Sequence, residues 1–246
     1  MRIVFMGTPE FAVSSLERLL TASFDLVGVV TNPDRPSGRG RKESPSPVKE
    51  KALEYGLPLL QPEDLRDTTF IEELRSWAPD LQVVVAFRLL PEEVWKIPPY
   101  GSINLHASLL PAYRGAAPIQ RAIMNGEERT GVTTFFIEEG MDQGDVLLQE
   151  GTVIPEDMTA GELHDRLMKM GADLLVRTVK GIEEGSLRPT PQPDPGPGTP
   201  IRAPKLGRED RRFDPTLDAK EVHDRIRGMS PFPGVQCELV RAEGEP

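Results

Sequence analysis

"RIVFMGTPEFAVSSLERLL" runs from Arg2 to Leu20, and its reading decides the fold. Arg2–Met6 is a short apolar run rich in β-formers, closed by Gly7. The spacing then changes, with Phe11, Val13, Leu16, Leu19 and Leu20 recurring at helical intervals behind Pro9. The same alternation continues outward. Strands are predicted at Phe24–Thr31, Leu57–Gln61, Asp80–Phe87, Gly101–Ala107, Gly131–Ile137 and Asp145–Ile154. Helices are predicted at Pro47–Tyr55, Thr69–Trp77, Gly115–Asn125 and Glu162–Glu184. Near-continuous apolar strands alternating with helices imply an α/β fold with a Rossmann-like, doubly wound, mostly parallel sheet. The turn "MGTPEF" carries one glycine where the dinucleotide fingerprint needs three, and "GRGRKES" is not a P-loop. Neither usual phosphate cradle is present.

The chain has 246 residues and a formal net charge of −10, with 38% hydrophobic and 28% charged residues, the balance of an ordinary globular protein. No apolar run approaches the roughly 20 residues that span a bilayer. No export signal is read at the N-terminus, so the cytoplasm is the expected compartment, without membrane contact. Cys237 is the single cysteine, which excludes an internal disulfide and any multi-thiolate metal site; it is expected to be a small buried side chain in "GVQCELV". His106, His164 and His223 are scattered and form no metal-binding pair, so no metal is expected, and His164 and His223 are read as structural or solvent-exposed.

The acidic average hides one basic stretch. Between Arg35 and Lys51 six basic side chains face two acidic ones, in a segment broken by Gly and Pro. A pI near 5.0 disfavours nucleic-acid binding by the whole surface, so any polyanion contact must be local. At the other end, "RPTPQPDPGPGTP" (Arg188–Pro200) holds six prolines and two glycines and reads as a stiff extended linker. Beyond it, Asp218–Arg227 looks helical and Gly234–Val240 looks like a strand.

The chemistry concentrates in "GSINLHASLLPAYRGAAP" (Gly101–Pro118). Period-2 alternation places Asn104 and His106 on one strand face and turns Leu105 into the apolar layer. A polar pair at the end of a parallel strand lies where open α/β sheets bind ligands. A second polar cluster, "EEGMDQGD" (Glu138–Asp145), is centred on Asp142, which either caps its turn or reaches a histidine. Asn, His and Asp can assist direct acyl transfer: amide and imidazolium N–H groups hold an oxyanion, and a carboxylate orients the imidazole.

These segments together resemble the methionyl-tRNA formyltransferase family across the whole chain. "INLHASLLPAYRGAAPIQ" is similar to its Asn-x-His signature, "GMDQGD" to its acidic loop, and "NPDRPSGRGRKESPSPVK" to its basic insertion. The resemblance implies the formyltransferase fold and an enzyme that moves a formyl group from 10-formyltetrahydrofolate to the methionine α-amine of initiator Met-tRNA. It implies that Asn104 and His106 stabilise the oxyanion while Asp142 orients His106 and manages the amine's proton. Ser108, Leu109, Leu110 and Pro111 are then expected to line the folate site, with Phe87, Leu89 and Leu90 of "AFRLLP", a loop that departs from the commoner Ala-Tyr-Gly pattern. Met141 and Gln143 are milder departures. Arg39, Arg41 and Lys42 are expected to grip tRNA phosphates. The implied division is a folate-dependent catalytic domain over residues 1–187, a linker over 188–206, and the beginning of a small, tRNA-binding β-barrel domain over 207–246, apparently incomplete; a monomer is expected. The alternatives are a formyltransferase acting on an amino-sugar nucleotide, a catalytically idle folate- or RNA-binding module, and a hydrolase releasing formate.

Overall fold

In a computed structural model of the protein, residues 1–37, 42–193, 198 and 202–237 are described. The first strand, β1 (Arg2–Gly7), lies at the heart of a seven-stranded sheet. Its alternation is physical: Ile3 and Phe5 enter one apolar cluster, Val4 and Met6 the other. Helices α1 (Glu10–Thr21), α2 (Pro47–Glu54), α5 (Pro118–Met124) and α6 (Ala160–Glu183) supply the first layer. Helices α3 (Thr68–Ser76) and α4 (Glu92–Trp95) supply the second. A strand covered on both faces has no polar side, which is why its sequence is a continuous apolar run.

The sheet order is β5-β2-β1-β6-β7-β8-β9. Strands β5 (Leu59–Leu60), β2 (Asp25–Val30), β1, β6 (Leu81–Val85) and β7 (Ser102–His106) are parallel. Strands β8 (Arg129–Phe136) and β9 (Val146–Val153) close the far edge in antiparallel fashion. From β1 the chain moves outward to β2, and β6 returns on the other side. The order therefore reverses between β1 and β6, and a crevice opens beyond their carboxyl ends.

Two glycines set the approach of helices to this sheet. A Cβ on Gly171 of α6 would sit 2.7 Å from Leu105 Cδ2, so its bare backbone lets α6 press directly onto β7. A Cβ on Gly28 would meet the Trp77 ring at 2.3 Å, so β2 receives the indole flat against its backbone.

Several elements differ from the sequence reading. The basic insertion is not a plain loop: its flanks pair as a two-stranded ribbon, β3 (Arg35–Ser37) with β4 (Lys42–Ser44). Three-residue strands carry no apolar period to detect. Asp34 fixes the base of the ribbon, accepting from Lys49 Nζ at 2.6 Å and Gln61 Nε2 at 2.8 Å. Arg39 and Arg41 lie outside the described residues, as does the side chain of Lys42. Helix α5 begins at Pro118 rather than Gly115, because Gly115 adopts φ 123°. The short helix α4 is a single turn that periodicity misses.

The composition of the Pro-rich segment predicts a spacer, yet its described ends pair with the rest of the chain. Thr190 pairs with Val146, and Arg202 with Arg114. Helix α7 (Ala219–Gly228), with an Asp218–Glu221 capping box, lies against α5, where Gly228 admits the Met124 side chain. Arg121 grips Asp210 through two nitrogens at 2.6 and 2.8 Å. Burial pushes the Asp210 carboxyl up, but the Arg121 guanidinium and the Gly207 N–H outweigh it and hold the group below the usual carboxylate range. Gly234 and Val235 form no strand, and Gln236 makes one bridge to Arg212; residues 238–240 of the expected strand lie outside the described residues. Cys237 is accordingly exposed, not buried.

Filling the notch at Gly171 should be costly, since the displaced Leu105 is buried. Gly171→Val is expected to destabilise the fold by about 1–3 kcal/mol, read as a lower urea midpoint. An unchanged midpoint would show that α6 and β7 are not in close contact.

Candidate active site

A cleft of about 540 Å³ opens at the reversal point, walled by the carboxyl ends of β6 and β7, the start of α5 and the Gly140–Asp142 loop. Strand β7 delivers Asn104 and His106 to it from one face, while Leu105 turns into the layer beneath α6. The Asn104 carboxamide makes no hydrogen bond among the described residues and remains available to a ligand. Phe87, Leu89 and Leu90 line the same cleft. They are turned there by Ala86, whose φ of 48° ends β6 abruptly.

His106 is nearly buried, and its ring is held by a group that the sequence did not single out. Nε2 lies 2.8 Å from the Tyr113 carbonyl oxygen. A carbonyl only accepts, so Nε2 carries the proton and Nδ1 is left facing Asp142. The Asp142 Oδ2 atom is 3.8 Å from Nδ1, an electrostatic distance rather than a hydrogen bond. That same oxygen accepts the Gly115 N–H at 2.8 Å. The backbone carbonyl of Tyr113 is therefore the principal orienter of the imidazole, and Asp142 its nearby countercharge.

Tyr113 is itself pinned. Its phenol donates to Glu127 Oε1 at 2.7 Å and accepts from Asn125 Nδ2 at 3.1 Å. Burial, then the neighbouring Glu127 carboxylate, push the phenol well above its ordinary range, so it stays a donor. Tyr113 has φ 59° and Asp142 φ 54°, left-handed conformations that cost a non-glycine residue roughly 1–2 kcal/mol each. With Ala86, three left-handed non-glycine residues surround one cleft, a clustering expected where geometry is imposed for chemistry.

Ser108, Leu109, Leu110 and Pro111 are not on the cleft wall. Ser108 is fully buried and donates to the Ala112 carbonyl at 2.6 Å. Leu109 packs over Gly131 and Gly151, and Leu110 is bound by Thr133 and Gln149 of β8 and β9. Within the signature loop, Ser108 and Leu110 are tied to Ala112, Thr133 and Gln149. His164, expected to be structural or exposed, stands on the cleft wall with its ring edge toward Phe11 at 5.3 Å. Arg88 ties the Phe87–Leu90 turn to the Pro62 and Glu63 carbonyls, at 2.7 and 2.8 Å. The sequence gives no signal for that tie beyond the residue's place in "AFRLLP".

The Formyl transferase family profile matches residues 1–179. Methionyl-tRNA formyltransferase of Bacteroides fragilis is 50% identical over 246 residues, covering 100% of this chain and 76% of the relative. The chain belongs to the methionyl-tRNA formyltransferase family. Another member, from Pelotomaculum thermopropionicum, is 49% identical over 239 residues, covering 96% of this chain and 74% of the relative. Among solved structures, a sugar N-formyltransferase from a Shewanella species has a TM-score of 0.71 at 16% identity, covering 96% of this chain and 91% of that one. The sugar 3N-formyltransferase WlaRD, solved with dTDP and 5-N-formyl-THF, has a TM-score of 0.68 at 21% identity, covering 93% and 78%. At such identities these two neighbours show the shared formyltransferase fold. In this chain's site, the Tyr113 carbonyl carries the histidine geometry.

Removing the Tyr113 hydroxyl leaves Glu127 without a buried donor, a contact to a charged group worth about 1.5–3 kcal/mol. Tyr113→Phe should lower the urea midpoint by a corresponding amount. A variant as stable as the parent would show that the phenol does not hold the loop.

Proposed function

We propose that this chain transfers the formyl group of 10-formyltetrahydrofolate to the methionine α-amine of initiator Met-tRNA. The observation that carries the reading is the His106 imidazole, tied through Nε2 to Tyr113 so that Nδ1 is left free beside Asp142 and Asn104. The half-identity to named methionyl-tRNA formyltransferases along the full chain supports the same acceptor.

The cleft suits a folate. Its volume of about 540 Å³ lies within the ordinary range of ligand pockets. Phe87, Leu89, Leu90, Ile137 and Met141 offer apolar walls to a flat ring system, and Asn104 offers an unengaged amide. When bound, the donor supplies a formyl carbon on nitrogen, already activated for attack by an amine.

The protein groups then divide the work. Asn104 donates an N–H to the formyl oxygen as that oxygen gains charge. His106 Nδ1 takes the proton shed by the amine as the new N–C bond forms, and returns it to the folate nitrogen as the old C–N bond breaks. While protonated, Nδ1–H also faces the developing oxyanion. Asp142, 3.8 Å away, stabilises the transient imidazolium without becoming protonated itself. No covalent enzyme adduct is needed, and Cys237 is remote in sequence from every group named here.

The basic insertion serves the second substrate. Arg39, Arg41 and Lys42 give local positive charge in a chain of net charge −10, so phosphate attraction is confined to one stretch of the sequence. Residues 207–246 are read as contributing to tRNA contact beyond the 188–206 segment. Among the described residues no helix is long and apolar enough to cross a membrane. A cytoplasmic monomer is the setting this reading requires.

One assay set tests it, with 10-formyltetrahydrofolate and three acceptors: Met-tRNA, a nucleotide-linked amino sugar, and water. Formyl-Met-tRNA is the expected product. Asn104→Ala should lower kcat by about 10²–10³-fold, the usual cost of one oxyanion donor. Arg41→Ala with Lys42→Ala should raise KM for tRNA and leave folate affinity unchanged. Preferred formylation of the amino sugar, or formate release with no acceptor formylated, would overturn the reading.

A further inference from the structure

We propose that Gln192, in the Pro-rich segment after α6, is a positioning residue for formyl transfer that holds the Asp142 loop against the signature loop carrying Arg114. This rests on the function proposed above.

The backbone brings Gln192 to its place. Thr190 and Val146 exchange both backbone hydrogen bonds, at 2.8 and 2.9 Å, as an antiparallel pair. Two residues further along, that register sets Gln192 opposite Gly144. Its carboxamide is then fully used. Nε2 donates one hydrogen to the Asp142 carbonyl at 2.9 Å and the other to the Gly144 carbonyl at 2.8 Å. Oε1 accepts from Arg114 Nε at 3.1 Å and from Arg114 Nη2 at 2.6 Å. Two donors and two lone pairs are all that a carboxamide has, and all four are engaged.

The two loops joined this way hold the two halves of the site. One loop contains Tyr113, whose carbonyl fixes His106, and Gly115, whose N–H fixes the Asp142 carboxylate. The other carries Asp142 in a left-handed conformation, which persists only where its surroundings over-determine it. Gln192 clamps the backbone of that residue while Gly115 clamps its side chain. The separation between Asp142 and Nδ1 thus depends on a residue from a third segment. The segment's far side is fixed as well: the Ala203 N–H donates to the Arg114 carbonyl at 2.7 Å, and a Cβ on Gly115 would strike the Ala203 oxygen.

Gln192→Glu separates positioning from simple attachment. Glutamate has the same length and pairs with Arg114 at least as well, but it has no N–H and sets an oxygen against two carbonyls. If Gln192 positions Asp142, kcat should fall about 10²-fold, as for a displacement of reacting groups on the order of 1 Å. KM for folate and for tRNA should stay within about twofold, because Gln192 contacts neither Asn104, nor the Phe87–Leu90 wall, nor the base of the basic insertion. The pH profile of kcat should change shape, as Asp142 shifts relative to His106. If Gln192 merely fastens the segment through Arg114, Gln192→Glu should turn over like the parent with the same pH profile, and that result overturns the proposal. Should the glutamate variant not fold cooperatively, Gln192→Met keeps the length without donors or charge, and the same kcat loss at unchanged KM is expected. Parent protein in the same assay distinguishes the two failures. No formyl transfer by the parent overturns the function, whereas parent transfer that survives in the variant overturns the positioning role alone.

Discussion

The hydrogen bond from His106 Nε2 to the Tyr113 carbonyl is the constraint on which the rest of the site depends. It decides which nitrogen of the imidazole is free. Had the proton sat on Nδ1 alone, Nε2 and the Tyr113 carbonyl would be two acceptors facing each other with no hydrogen between them. The bond in turn needs a backbone that turns back sharply at Tyr113, a left-handed residue that is not glycine. That turn is held by the phenol's two contacts above and by Thr133 and Gln149 gripping the Ser108–Leu110 stretch below. From underneath, the Leu105–Gly171 contact fixes β7 in height and angle. The catalytic geometry is therefore carried by the sheet, by α6 and by a polar net, not by the loop's own preference.

Four separate chain segments meet within that net: β7, the loop before α5, the acidic loop between β8 and β9, and the described ends of the Pro-rich segment. None of them contains a complete site. Two left-handed residues, Tyr113 and Asp142, stand at their junctions, and the hydrogen bonds made there offset the strain. The cleft wall is half apolar, and the Arg35–Ser37 and Lys42–Ser44 ribbon is tied down at its base by Asp34, Lys49 and Gln61.

Much of the architecture was legible because it obeys simple periods. The apolar runs of β1 and β6 are doubly covered strands, and in β7 the two-residue alternation of Asn104, Leu105 and His106 sorts polar from apolar by itself. Where backbone rather than side-chain pattern decides, the reading failed. The helix after the signature loop starts late because Gly115 is left-handed, and Ser108 and Leu110 lie off the cleft wall because Thr133 and Gln149 hold them. The Tyr113 carbonyl could not be found, since a main-chain oxygen has no sequence signature. Gln192 was hidden by composition: six prolines suggest a spacer, and one glutamine among them says nothing until Thr190 is seen to pair with Val146. Cys237 is exposed, and among the described residues its predicted strand makes one bridge, where a strand would make a ladder.

The account's central claim, that the Tyr113 carbonyl fixes the histidine and frees Nδ1, is open to direct measurement. Nitrogen-15 NMR of the imidazole in labelled protein, assigned by comparison with His106→Asn, reports which ring nitrogen carries the proton when the ring is neutral. The account predicts the Nε2–H tautomer, with Nδ1 unprotonated and responsive when Asp142 is replaced by Asn. A resonance showing the proton on Nδ1 and a bare Nε2 would contradict it.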